Sequence, residues 1–179
     1  MAENRRVRMT KQLIKDAFCD LLEKKGITKI TVKQICETAD VNRSTFYAHY
    51  SDQYELFNEI QRDIISITPG INLYKKEPIV NELTKFFEFI HKNRKIYRIL
   101  FLNSNGVHLR NAILNKLFNR NDADISWIDK EMDLASRMHF KMLMCAFGGM
   151  HMVEKWIFGE FESKPAELAA YMAQFIEKA

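Results

Sequence analysis

Arg43, Ser44, Thr45, Tyr47 and His49 lie within one stretch of seven residues and supply a guanidinium, two hydroxyls, a phenol and an imidazole. Such groups hydrogen-bond phosphate oxygens and base edges, which is the chemistry of a surface that reads nucleic acid. To act together they need one rigid element, and the spacing supplies it. Phe46 and Tyr50 stand four apart and form the inner face of a short helix whose other face carries the five polar residues. Asn42 is a good N-cap for that helix, starting at Arg43. Upstream, Val32, Ile35 and Ala39 recur at helical spacing, with Thr31 placed to cap the first turn. Asp40 and Val41 break the pattern, and Cys36 is the small residue where the two helices must pass closely. Two short helices joined by three or four residues match a helix-turn-helix, whose second helix lies in the major groove.

A generic helical hairpin would show the same punctuation, so charge separates the two readings. Residues 1–50 hold ten Lys or Arg against six Asp or Glu, whereas residues 51–179 hold seventeen of each. The whole +4 excess surrounds the motif, as phosphate contact requires.

Thr10 to Leu56 resembles the N-terminal domain of the tetracycline-repressor (TetR/AcrR) family of bacterial transcription regulators. The resemblance is carried by Thr10, Ile14, Ala17, Phe18 and Leu21, by Gly26, and by the run TVKQICETADVNRSTFYAHYSD from Thr31 to Asp52. Asp40 stands where the family has a turn glycine, but Asp tolerates a left-handed backbone. Gln53 replaces a frequent lysine, so one phosphate contact is weakened or becomes a neutral hydrogen bond. The resemblance implies a homodimer whose two motifs enter successive major grooves, about 34–36 Å apart, on a near-palindromic double-stranded operator. Arg43 then suits a guanine edge or a phosphate. Ser44, Thr45 and Tyr47 are next for base edges and backbone, and Thr31, Lys33, His49 and Tyr50 for phosphates.

Six Gly and three Pro in 179 residues argue for long, lightly interrupted helices over a β-rich fold. With the resemblance, the expectation is an all-α chain of about nine helices, 1–66 forming the helix-turn-helix DNA-binding domain with linking helix 4 and 67–179 a regulatory and dimerisation domain. Residues 1–9 form a basic arm with Arg5, Arg6 and Arg8, either reaching DNA as in some of the family or trailing as a tail. Helix 1 runs from Thr10 to Lys25 on Leu13, Ile14, Ala17, Phe18, Leu21 and Leu22, and Gly26 stops it. Helix 4 begins at Asp52, capped with Glu55, and continues to Pro69-Gly70. Further helices are expected from Pro78 to Asn93, Arg94 to Leu102, Val107 to Phe118 and Asp129 to Phe158. A last one is capped by Ser163 and opened by Pro165. Asn119 to Asp124 is loop-like.

The segment Met142–Val153 is apolar on almost every side and must be covered all round. Gly148-Gly149 costs about 1 kcal/mol per residue relative to Ala, which close backbone approach by another helix would offset. The last two helices are therefore expected to pair with the same two of a second subunit, through Gly148, Gly149, Met152, Trp156, Leu168, Met172 and Phe175. The phrases FGGMHMVEKWI and ESKPAEL also resemble the C-terminal domain of one branch of the family, common in low-GC Gram-positive bacteria.

Enzyme signatures are absent: no phosphate-binding glycine loop, no H-E-x-x-H, no nucleophile elbow. The five histidines and the scattered Cys19, Cys36 and Cys145 have no metal-ligand spacing, so neither a metal nor a cofactor is expected, and reduced thiols in a cytoplasm are. No apolar run approaches the ~18 residues of a membrane span, and no secretory signal opens the chain. The family resemblance further implies a small hydrophobic effector in the C-terminal domain, with Phe86, Phe89, Ile90, Tyr97, Phe101, Phe118, Met138, Met142 and His151 as candidate walls. His139 and His151, twelve apart, turn to roughly the same side of the long helix. A hydrogen-bonded core or interface role is commoner for them than a pocket wall, and core filling is the default for the methionines over an adaptable ligand site. The alternative is a DNA-bound adaptor whose C-terminal domain takes a protein partner. The expected activity is transcription regulation, by repression in the first instance.

Overall fold

The computed structural model describes residues 5–71, 78–103, 107–117 and 137–178. It is all-helical, with nine α-helices and no strand among the described residues. The chain divides into two compact units, residues 1–66 and 67–179.

In the first unit α1 (Arg5–Lys24) buries Ile14, Ala17, Phe18 and Leu22, one stripe at helical spacing that packs on α2 (Val32–Ala39). Three expectations change here. Helix α1 already begins at Arg5, because nothing from Arg5 to Met9 stops a helix; the arginines of the expected arm are helical. Leu13 points to solvent instead of the core. Gly26 is extended (φ −64°, ψ 155°), not left-handed, and introduces a short 3₁₀ turn, Ile27–Lys29, that buries Ile27. A capping box starts α2: the Thr31 hydroxyl accepts the Gln34 N–H, and the Gln34 side chain accepts the Thr31 N–H. Asp40 ends it in the left-handed region at φ 52°. Asn42 occupies the N-cap of α3 (Arg43–Tyr47) without a side-chain cap bond. At α4 (Gln53–Ile67), Asp52 Oδ1 accepts the N–H groups of Tyr54 and Glu55, while the Glu55 carboxylate takes the N–H and hydroxyl of Ser51. These bonds from Ser51 outweigh desolvation and hold Glu55 below the usual carboxylate range. Phe18 meets Phe57 edge-on at 6.5 Å, tying α1 to α4.

The second unit contains α5 (Ile79–Lys92), α6 (Arg94–Asn103), α7 (Val107–Leu117), α8 (Arg137–Phe158) and α9 (Pro165–Lys178). Helix α5 packs mainly on α9, and α8 contacts α6 and α9. Trp156 of α8 is the hub. Its ring meets Phe87 edge-on at 5.8 Å and stacks on His91 at 5.6 Å, and its Nε1–H donates to the Ser163 carbonyl. The end of α8 is closed twice. Gly159 at φ 79° allows the N–H groups of Gly159 and Glu160 to turn back on the carbonyls of Trp156 and Lys155. Arg94 then donates to the carbonyls of Trp156 and Ile157, both at 2.8 Å, where a cation also suits the helix dipole. At α9 the capping acceptor is the Glu167 carboxylate, which takes the Lys164 N–H and the Ser163 hydroxyl; Ser163 itself is a donor there. The expected loop at 119–124 and the start of the long helix lie outside the described residues.

Tyr97 is fully buried and shares a 2.5 Å hydrogen bond with Thr68. Burial pushes its phenol up to about 12, against the smaller opposing effect of the Thr68 bond. The native state thus holds this proton more tightly than the unfolded chain, whose tyrosines titrate near 10. Stability from this source is complete below pH 10 and is lost as pH rises from about 10 to 12, an effect of about 2–3 kcal/mol. Thermal melts at pH 9 and 11 should show a steep alkaline drop in wild type and a shallower one in Tyr97→Phe. Equal drops in the two proteins would place the alkaline sensitivity elsewhere.

Candidate nucleic-acid interface

The five-residue helix α3 is too short to be stable alone, so its orientation is imposed by what it packs against. Phe46 is its anchor. It is fully buried, with Tyr47 edge-on and Tyr50 tilted, each at 5.6 Å. Because Phe46 points inward, Arg43, Ser44 and Tyr47 stand exposed on the opposite side, Tyr47 at 57%. Thr45 and His49 are half-buried at its edges. Beside them, Thr31 and Lys33 are exposed at the start of α2. The Thr31 oxygen already accepts the Gln34 N–H, so the hydroxyl hydrogen is what it can offer a phosphate. Lys33 is paired with Glu37 at 3.7 Å, both side chains mostly solvated. A pair of that kind is worth well under about 1 kcal/mol and yields readily to a phosphate. Lys33, Glu37, Asp40, Val41, Asn42 and Arg43 surround an open cleft of about 400 Å³ beside the start of α3. Cys36 forms part of its floor; burial pushes its thiol up, Arg43 pulls it down, and the balance lies above the usual thiol range.

One expected phosphate contact does not fit. Tyr50 is 1% exposed, and its hydroxyl donates inward to Glu59 Oε1 of α4 at 3.1 Å. Aromatic type and helical position suited both a core and a surface role, and the packing on Phe46 selects the core.

Sequence reasoning also missed the partners of that hydroxyl. Glu59 collects Lys11 at 3.0 Å and Lys15 at 2.7 Å from α1, and Lys15 also reaches Asp63 at 2.5 Å. Lys11 lies 5.6 Å above the Tyr50 ring. Burial raises the Glu59 carboxyl, but the bonds from Lys15 and Lys11, the Lys15 charge and the Tyr50 hydroxyl hold it at about 2. For Lys15, burial lowers the ammonium, and Asp63 with Glu59 outweighs this and raises it. The usable signal was two complementary stripes, Lys11/Lys15 and Glu59/Asp63, each four residues apart on its helix.

In the second unit Phe86, Ile90, Tyr97 and Phe101 are buried and Phe89 is half-buried. His151 departs from them. It is 67% exposed in side chain, 3.9 Å from Glu154, and belongs to the outer face of α8. Phe118 lies outside the described residues, as do the side chains of Met138 and Met142. The residues expected between subunits also divide. Trp156 and Leu168 are buried within the unit, and a Cβ on Gly149 would run into Met172 Cε of α9, so the close approach inferred at Gly149 is made within one chain. Gly148 and Phe175 are exposed, and Met152 and Met172 half-buried. Beside Gly148 the apolar side chains of Met144 and Phe147 reach solvent, as Tyr171 does beside Phe175. Among the described residues no group of His, Cys, Asp or Glu is arranged to hold a metal, and no helix is long and apolar enough to cross a membrane.

Comparison with known proteins bears on both units. Residues 14–60 match the family model described as bacterial regulatory proteins, tetR family, and residues 80–178 match a transcriptional regulator C-terminal region. The chain is 27% identical over 138 residues to the HTH-type dhaKLM operon transcriptional activator DhaS of Lactococcus lactis, covering 72% of each chain. It is 38% identical over 98 residues to the uncharacterized HTH-type transcriptional regulator YxbF of Bacillus subtilis, covering 49% of this chain and 25% of that one. In fold it resembles a TetR transcriptional regulator from Streptococcus agalactiae, with a TM-score of 0.68, 19% identity and 96% of each chain covered. It also resembles a dihydroxyacetone kinase operon activator, DhaS, with a TM-score of 0.60, 20% identity and 94% of each chain covered.

Proposed function

Because the chain belongs to the tetR family of bacterial regulatory proteins, we propose that it acts in the cytoplasm as a homodimer that binds a near-palindromic operator and is switched through its C-terminal unit. The observation that carries the DNA part is the two-sidedness of α3. Phe46 is fully buried while Arg43, Ser44 and Tyr47 are offered outward, beside Thr31 and Lys33 on α2. Arg43 approaches a base edge or a phosphate, Ser44, Thr45 and Tyr47 the bases and backbone, and Thr31, Lys33 and His49 the phosphates.

The dimer is supported by the outer faces of α8 and α9, where Met144, Phe147, Tyr171 and Phe175 are exposed apolar side chains in need of cover. Gly148 sits on this face with nothing within 4 Å of a Cβ built on it. A second copy presenting the same face would bury the stripe with two-fold symmetry. Control by a small hydrophobic effector is a population shift: the ligand must bind one spacing of the two reading heads better than the other. Repression and activation use the same DNA contacts. The Lactococcus relative is an operon activator, which favours activation as a second reading.

Sedimentation tests the dimer. Wild type should sediment as a dimer at micromolar concentration and need both half-sites for tight operator binding. Gly148→Leu should keep its helical circular dichroism, since the site is open within one chain, and yet dissociate by about 1–3 kcal/mol through overpacking at the interface. A monomeric wild type, or a Gly148→Leu that remains a tight dimer, would remove this face from the interface.

A further inference from the structure

We propose that Glu59 is a positioning residue for DNA recognition: through the hydroxyl of Tyr50 its carboxylate fixes the end of the reading helix to α4, while Lys11 and Lys15 hold the same carboxylate to α1. This rests on the reading that α3 contacts DNA. Tyr50 is continuous with α3, because its N–H and that of His49 both bond to the Phe46 carbonyl at 2.9 Å. At its other end α3 is set by the left-handed Asp40 turn from α2. Phe46 anchors the middle of α3 by non-directional packing, and the Tyr50–Glu59 bond of 3.1 Å adds a directional link that fixes its end to α4.

The charges argue the same way. The Glu59 carboxylate opposes phosphate attraction, and it also engages Lys11 and Lys15 of the basic stretch 1–50, which would otherwise favour DNA. Glu59 therefore works against non-specific attraction while it fixes geometry. Its removal should lower discrimination between sequences more than it lowers affinity for DNA as such. Since Glu59 is on α4, any displacement of that helix would pass to α3 through Tyr50, so this bond is also the point at which a switch in α4 would act.

The test compares wild type, Tyr50→Phe, Glu59→Gln and the double variant on two probes: a duplex selected by the wild-type chain from a random-sequence library, and poly(dI-dC). Tyr50→Phe deletes one hydroxyl and leaves Glu59 with both lysines, so it folds even where Glu59→Gln does not. The expected result is a roughly three- to tenfold loss on the selected duplex, the worth of one hydrogen bond. Affinity for poly(dI-dC) should be unchanged in Tyr50→Phe and unchanged or higher in Glu59→Gln. The double variant should lose little more than the worse single one, because the two changes break the same link. Selected-duplex affinity equal to wild type in Tyr50→Phe overturns the proposal. So does an equal loss on both probes that tracks a lower melting temperature, which is what a merely structural role predicts. A wild type that selects no sequence at all would instead sink the DNA-reading assignment itself, and the proposal with it.

Discussion

Trp156→Ala is expected to destabilise the C-terminal unit strongly, not merely to separate two subunits. The indole is 3% exposed, held between Phe87 and His91 of α5, with its N–H on the Ser163 carbonyl ahead of α9. Truncating a buried Trp costs about 3–5 kcal/mol through lost transfer energy and the cavity left behind. It would also leave the Ser163 carbonyl short of a donor. Set against a typical domain stability of about 5–15 kcal/mol, this is a large fraction. Melts followed by far-UV circular dichroism, with sedimentation of the same samples, separate the two roles. An early, broad unfolding transition is expected. A variant that melts like wild type and has lost only its dimer would put the indole in an interface after all.

Arg43→Ala and Tyr47→Ala should each weaken specific operator binding by about 1–3 kcal/mol without lowering the melting temperature. Both side chains are exposed and neither anchors α3, a task that falls to Phe46 beside them. Loss of Arg43 removes a fork able to grip a base edge or a phosphate in two places. Loss of Tyr47 removes a phenol on the reading face together with its edge-on contact to the Phe46 ring, which the buried ring survives. Gel shifts at one fixed salt concentration measure the effect. Wild-type affinity in both variants would take α3 off the reading surface.

The helix-turn-helix was legible in the sequence because short-range rules decide it. The Thr31 cap, the Ile35/Ala39 stripe, the left-handed Asp40 and the inward Phe46 each depend on neighbours a few residues away. The start of α1 was missed for the same reason: Arg5 to Met9 carry no stop signal, and the polar run read as a tail. In the C-terminal unit periodicity runs out, since a helix apolar on nearly every side does not reveal which side faces inward. Gly148 and Gly149 are adjacent and alike in sequence, yet one is open and the other lies against Met172. Trp156 was drawn to an interface and His151 to a pocket because the positions of Phe87 and His91 against α8 are tertiary facts. Tyr50 and Glu59 went unread as a pair because their link crosses from the end of α3 to α4.

Whether this chain reads DNA sequence is tested most directly by a salt-resolved competition between the selected duplex and poly(dI-dC). At one salt concentration the wild type should prefer the selected duplex by about a thousandfold or more. Log affinity should fall linearly with log salt, with a slope of about −0.9 for each phosphate neutralised. Equal affinity for the two probes, or binding indifferent to salt, would contradict the assignment of the exposed face of α3 as a sequence-reading surface.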